Sequence, residues 1–215
     1  ASDVYKRQIE SITSKTSYQH YEIILVDNGS DDPESLQYFE SLKLQQNIRV
    51  LRDDGPFNYS ALNNRAVREA RGELVGLINN DIEVISPDWL SEMVSLALQP
   101  GAGAVGARLW YPDNRLQHGG VIMGPLTLAG HAHKMLPRGH HGYFGRASLI
   151  QGMSAVTAAC LIVRKSIFEE VGGLNEVELK IAFNDVDFCL KVMAAGYQNI
   201  CLLYTSDAAD DSLRV

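Results

Sequence analysis

The chain has 215 residues, with 19 Lys and Arg against 26 Asp and Glu, a formal charge of −7. That length fits one domain with a sizeable core, and a mildly acidic chain is a poor non-specific nucleic-acid binder. No apolar run approaches the roughly 20 residues needed to span a bilayer. With Cys201 set aside in the terminal segment 201–215, Cys160 and Cys189 lack metal-site spacing, which fits a reducing compartment and no disulfide framework.

The termini are read first. Residues 1–8, "ASDVYKRQ", and 201–215, "CLLYTSDAADDSLRV", are related through the genetic code. Codons for the first segment, reverse-complemented and shifted by one base, encode Cys201 to Asp207. The repeat resembles the transposon end used to fragment DNA for sequencing. Both segments are therefore expected to be non-native scars around a natural piece spanning residues 9–200, truncated at both ends.

Strands and helices then alternate. "YEIILVDNGS" is a short apolar run, Ile23 to Val26, ending in Asp27, Asn28 and Gly29. It reads as a buried strand entering a loop. Asp32 and Pro33 open a helix. "NIRVLRD" is a second strand. "NYSALNNRAVREARG" is a helix with Leu62, Ala66 and Val67 on one face and Gly72 as its stop. "ELVGLIN" is a third strand. Ser86 is read as the cap of "SPDWLSEMVSLAL", with Pro87 behind it. "GAVGARLWY" is a fourth strand. From about Asp113 to Gln151 the chain is rich in Gly, His and Pro, too long for an ordinary connection. "VTAACLIVRKSIFEEVGGL" resumes with a strand and a helix ended by Gly172 and Gly173. "NDVDFCLKVMAAGY" is a last helix, stopped by Gly196. The alternation predicts an α/β fold with a doubly wound, mainly parallel sheet and helices on both faces.

In such sheets ligands sit at the carboxyl ends of strands. Asp27 there could accept a hydrogen bond from a base or ribose. In "INND", Asp81 could ligate a hard divalent cation shared with phosphates, and Asn79 could add an amide oxygen. The bland alternative is a turn, since Asn and Asp are good turn residues. Asp185 and Asp187 open a helix, where carboxylates cap and oppose the dipole. A carboxylate there could also act as general base. The loop holds His118, His131, His133, His140 and His141. Zinc is one reading, but no Cys set accompanies the histidines and the spacing fits no familiar zinc pattern. A solvated Gly-rich loop is the plain alternative. Trp89 and Cys160 read as core.

Taken in order, "YEIILVDNGSDD", "ALNNRAVREARGE", "LINNDIEVISPDWL", "TAACLIVRKSIFEEVGGLNE" and "FNDVDFCLKVMAAGY" resemble glycosyltransferase family 2, with the GT-A fold. The likeness runs from about Glu10 to Ile200 and is nearest to bacterial enzymes that build O-antigen, rhamnan and other surface polysaccharides. The resemblance implies an inverting enzyme that moves a sugar from a nucleotide-diphosphate donor, on uridine or deoxythymidine, to a glycan or lipid-linked acceptor. It implies that Asp27, Asn28, Asn64, Asn79 and Asn80 bind the nucleotide sugar. Asp81, with Asn79, would hold a divalent cation, Mn or Mg. The first acid of the family's Asp-x-Asp motif is Asn79 here. Asp185 stands at the family's catalytic base, after Asn184 where the family has Glu, and Asp187 is a second candidate. His131, His133, Lys134 and Arg138 would lie on a loop near acceptor and phosphate. A first strand is expected before Ile9. The protein would work in the cytoplasm at the inner face of the plasma membrane, attached through regions outside this chain. A non-catalytic relative that binds glycan or nucleotide sugar, and a sugar nucleotidyltransferase, are the competing readings.

Overall fold

The computed structural model describes residues 2–124, 128–202 and 213–214. Of the segment 201–215, expected as a scar, residues 203–212 and 215 lie outside the described residues. The first half follows the anticipated alternation: α1 (Ser2–Lys15), β1 (Ile23–Asp27), α2 (Pro33–Leu42), β2 (Ile48–Arg52), α3 (Tyr59–Glu69), β3 (Leu74–Ile78), β4 (Glu83–Val84), α4 (Trp89–Ala97) and β5 (Ala102–Ala107). The expected boundaries at Ile9 and Ile200 both fall inside elements. The caps explain the starts. The Asp32 side chain accepts from the Ser35 amide with Pro33 in the first turn, and Asn58 accepts from the Ala61 amide at α3.

Helix α4 starts later than its Ser86–Pro87 signature suggests. Its cap position is Asp88, which makes no side-chain cap bond. Ser17 donates to Asp88 Oδ1 at 2.6 Å, so a tertiary contact takes the capping carboxylate. Helix α3 likewise ends before Gly72, at Glu69.

The fourth expected strand breaks at Arg108 into β5 and β6 (Leu109–Trp110). The described residues of the Gly- and His-rich stretch form a series of short elements. They include β7 (Leu116–His118), β8 (Val121–Ile122), β9 (Gly130–His131), a 3₁₀ segment (Tyr143–Ser148) and β10 (Gln151–Gly152). β11 (Cys160–Arg164), α5 (Lys165–Glu170), α6 (Asn184–Ala194), β12 (Gln198–Leu202) and β13 (Leu213–Arg214) complete the order.

The central sheet has the order β10-β12-β5-β11-β3. β12 runs parallel to β5, whereas β11 is antiparallel to both β5 and β3, and β10 is antiparallel to β12. The sheet is therefore mixed. β11 arrives through the long excursion after β5 rather than through a helical crossover, so it is free to enter antiparallel. Its residues alternate between faces. Leu161 and Val163 pack with Phe168, Phe188 and Val192, whereas Cys160 and Ile162 pack with Trp89, Met93 and Ala97. Helices α5 and α6 thus cover one face and α4 the other. Gly103 in β5 permits this closeness, because a Cβ there would lie 2.4 Å from Val192 Cγ1.

β1 and β2 form a separate parallel pair. Between β1 and β3 lies a cleft of about 1380 Å³, larger than the usual small-molecule pocket of roughly 300–1,000 Å³. Ile23, Ile24, Leu25 and Val26 are only half-buried, although β1 is as apolar as a central strand. Among the described residues, the β1 and β3 edges facing the cleft pair with no strand.

Candidate functional site

The site lies where the cleft opens at the carboxyl ends of β1 and β3. Asp27, Asn28, Tyr59, Asn79, Asn80 and Asp185 all line it. Four different segments contribute, as expected for an α/β sheet read at its C-terminal edge.

Asp27 ends β1 and is buried. Its Oδ1 accepts from the Ser30 amide at 3.0 Å, and Arg52 donates to Oδ2. Burial opposes its charge, but the bonds from Ser30 and Arg52 outweigh it and hold the carboxyl below the usual carboxylate range. Asn28 gives its amide hydrogens to the carbonyls of Asp53 and Gly55, both at 2.9 Å, tying the loop after β2 to the loop after β1.

β3 delivers Asn79, Asn80 and Asp81. The Asn79 amide donates to Ala159 O at 3.0 Å, continuing the β11 pairing one residue past the strand. Gln8 donates its side-chain amide to Asn79 O. Asn80 and Asp81 are exposed in the turn.

Tyr59, at the first turn of α3, connects the two acidic centres. Its hydroxyl lies 3.3 Å from Asn79 Oδ1 and 3.2 Å from Ala158 O. Burial, then the charges of Asp185 and Asp81, push its phenol up. The residue escapes a motif reading because an aromatic at a helix start looks like ordinary packing. Its one available signal is its place directly after the cap Asn58.

The two candidate bases separate. Asp185 Oδ2 accepts from the Ala158 amide at 3.2 Å and Oδ1 from the Val186 amide at 2.8 Å, at the cleft. Asp187 instead makes an ion pair with Lys191 at 3.0 Å, and Lys191 donates to Gly173 O at 2.7 Å. Asp187 thus braces a turn. Phe183 before α6 sits in left-handed backbone, φ 59°. This strained residue swings the helix start toward the cleft, the sort of strain that concentrates at functional sites. Asn184 is buried, and its Nδ2 has no hydrogen-bond partner among the described residues.

Asn64 is placed elsewhere. Its Nδ2 donates to Leu174 O at 2.8 Å and Glu176 Oε1 at 2.7 Å, and its Oδ1 accepts from the Leu174 amide at 2.9 Å. It pins the Gly172–Gly173 turn, where a Cβ on Gly173 would meet Asn64 Oδ1 at 2.7 Å.

The loop residues divide. Desolvation, then the charge of Lys134, lowers the His131 pKa against the opposing charge of Asp185, while Lys134 and Arg138 are exposed. His133 faces Arg146 and Arg108, and burial, then these two cations, lowers its pKa. The loop therefore does not gather its basic groups at one point.

Among the described residues no three His, Cys, Asp or Glu side chains cluster as a metal cage. Exposed Asp81, with the Asn79 amide oxygen nearby in sequence, is one carboxylate short of a typical pair. That set still suits a cation of the Mg type, which takes one or two carboxylates plus substrate phosphates and keeps waters.

The model for glycosyl transferase family 2 matches residues 2–172. The chain belongs to this family. It is 55% identical over 92% of its length to the uncharacterized protein y4gI of Sinorhizobium fredii, covering 22% of that protein. It is 38% identical over 94% of its length to the O-antigen biosynthesis protein RfbC of Myxococcus xanthus, covering 16% of it. The chain thus spans under a quarter of the length of these two relatives. In three dimensions it resembles the crystal structure of GalNAc-T7 with UDP, GalNAc and Mn²⁺, with TM-score 0.74 and 15% identity over 94% of this chain and 40% of that one. The fold is GT-A.

Proposed function

We propose that the chain is the donor-binding and catalytic part of an inverting glycosyltransferase that builds a cell-surface polysaccharide. One observation carries the reading. Asp185 from α6 and the Asn79–Asp81 turn from β3 meet at the same cleft end, joined through Tyr59 and the Ala158 peptide.

The chemistry follows from that placement. The acceptor hydroxyl oxygen attacks the anomeric carbon, the bond to the diphosphate oxygen breaks, and Asp185 takes the hydroxyl proton. Attack opposite the leaving group inverts the centre and needs no covalent enzyme intermediate. A divalent cation held by Asp81 and Asn79 would stabilise charge on the departing diphosphate. Asp27 and Asn28 frame the nucleotide end. The donor is a UDP- or dTDP-sugar and the acceptor a glycan, including a lipid-linked one. Such an enzyme works at the cytoplasmic face of the bacterial membrane, attached through regions outside this chain. The GalNAc-T7 complex, with UDP and Mn²⁺ on the same fold, supports the donor and cation classes. RfbC, by its name, supports the polysaccharide context.

The 215-residue chain alone is expected to be poorly stable and inactive, because its sheet is divided at the cleft. The test therefore uses the intact protein carrying this segment. It would be offered a panel of UDP- and dTDP-sugars with Mn²⁺ and a glycan fraction from host membranes. Acceptor-dependent release of nucleoside diphosphate, lost in D185N with donor binding kept, is the expected result. Donor binding without release would favour the binding relative. Pyrophosphate release from a nucleoside triphosphate and a sugar phosphate would favour the nucleotidyltransferase.

A further inference from the structure

The histidine pair outside the donor site makes a second, unassigned arrangement. His118 ends β7 and His131 ends β9, and their Nδ1 atoms lie 2.9 Å apart with the rings nearly perpendicular at 86°. His118 is fully buried, whereas His131 is exposed. The Thr157 amide points at His118 Nε2 from 3.4 Å.

This pattern sets the protons. A backbone N–H only donates, so His118 Nε2 carries the lone pair. A neutral imidazole has one hydrogen, which for His118 then sits on Nδ1. It can only donate to His131 Nδ1, so the proton of neutral His131 is on Nε2. Burial strongly favours this neutral state in His118, and partial desolvation with the nearby charge of Lys134 favours it in His131.

The same backbone segment holds the candidate base. Thr157 N faces His118, and the next amide, Ala158 N, bonds Asp185 Oδ2. His118 and Asp185 thus hang from consecutive peptides, and the His118 contact ties His131 to the same segment, near enough for the Asp185 charge to act on it.

We propose that His131 binds an oxygen of the acceptor glycan as a neutral Nε2–H donor beside Asp185, and that His118 is a positioning residue that fixes its tautomer and orientation. This rests on Asp185 being the base of the transfer reaction. It separates His131 from His133, which faces two arginines, and it assigns His118 a role that a metal-centred reading does not.

The test uses the intact protein and the transfer assay above, with four variants. Asn at position 118 retains a donor where Nδ1–H was, and Gln at 131 retains one where Nε2–H was. H131A and H118F are expected to raise the acceptor KM at least tenfold and leave the donor KM unchanged. H131Q and H118N should recover most of that loss. Equal shifts in both KM values, or H131Q as poor as H131A, would overturn the proposal. A second measurement needs no turnover. In protein labelled with ¹⁵N-histidine at pH 7.5, His118 and His131 should show opposite neutral tautomers, each signal identified by its loss in the matching variant. A His131 proton on Nδ1 overturns the assignment even if transfer is detected. Opposite tautomers in a protein that transfers no sugar uphold the hydrogen-bond geometry and reject the catalytic reading beneath it, and with it the acceptor role.

Discussion

Glu22 accepts a hydrogen bond from the backbone amide of Arg71 at 2.7 Å, which holds the residue before β1 beside the approach to β3. The two strands therefore start together and run in the same direction on opposite sides of the cleft. Their facing edges carry backbone groups that a sheet would normally pair. α1 begins at the other end of this cleft, with Tyr5 beside Ser35 and Gln8 on Asn79 O. A strand between β1 and β3 would lead into α1 by a short turn.

A chain extended ahead of α1 by a natural apolar segment is thus expected to melt higher. Completing the burial of the β1 side chains is worth about 4 kcal/mol, or about 10 °C for a domain of this size. Thermal melts would show the shift, and hydrogen exchange should slow at the amides of both β1 and β3. An unchanged melting temperature and unchanged β1 exchange would count against the sheet being completed there.

The two acids of "NDVD" should behave differently. D185N in the intact protein is expected to lower kcat by about 10²–10⁴, the usual scale for a general base. D187N should leave kcat within about threefold and lower stability instead by about 1 kcal/mol, the scale of a partly exposed ion pair. Steady-state rates beside a denaturant melt separate the two. A large kcat loss in D187N with the fold intact would reverse the assignment.

Asn64 offers a check on structure against ligand contact. N64A removes three bonds to the Leu174–Glu176 turn and leaves buried groups unpaired, a cost of about 2–4 kcal/mol. Urea unfolding should report that loss, while equilibrium binding of UDP or dTDP changes little once the variant is kept folded. A tenfold loss of nucleotide affinity at full stability would instead place Asn64 at the ligand.

Stability should fall on mild acidification. An unfolded imidazole takes up its proton near pH 6.5, whereas burial lowers His118 to about 3. Between those values the unfolded state binds more protons. Stability present above pH 6.5 is therefore lost as the pH falls. The slope from this one residue reaches at most about 1.4 kcal/mol per pH unit. His131 and His133, also lowered, add in the same direction. Melts between pH 7 and pH 5 should show a shallower decline in H118F than in the parent protein. Equal slopes would show that His118 titrates normally.

Much of this site was legible in advance because its strands are short and its caps are local. Asp32 with Pro33, the apolar runs ending in Asp27 and Asn79, and the Gly196 stop all act within a few residues. The Ser86 signature misses the helix start by two residues, because the cap position is Asp88, whose carboxylate is held by Ser17, far away in the chain. Tyr59 carries no such local signature. Its significance depends on Asn79 and Ala158, which the sequence places far from it.

The order of strands and helices, the carboxylates at strand ends and the membership in family 2 follow from the sequence alone, since periodicity, capping and motif spacing are local properties. The division of labour among like residues needed the tertiary structure. Asp185 and Asp187 are two apart, so at about 100° per residue a helix turns them to nearly opposite sides. Which side meets the cleft depends on where α6 docks. The same holds for Asn64, drawn into a turn, and for His118 and His131, whose protons are set by an amide that reaches them only in the folded chain.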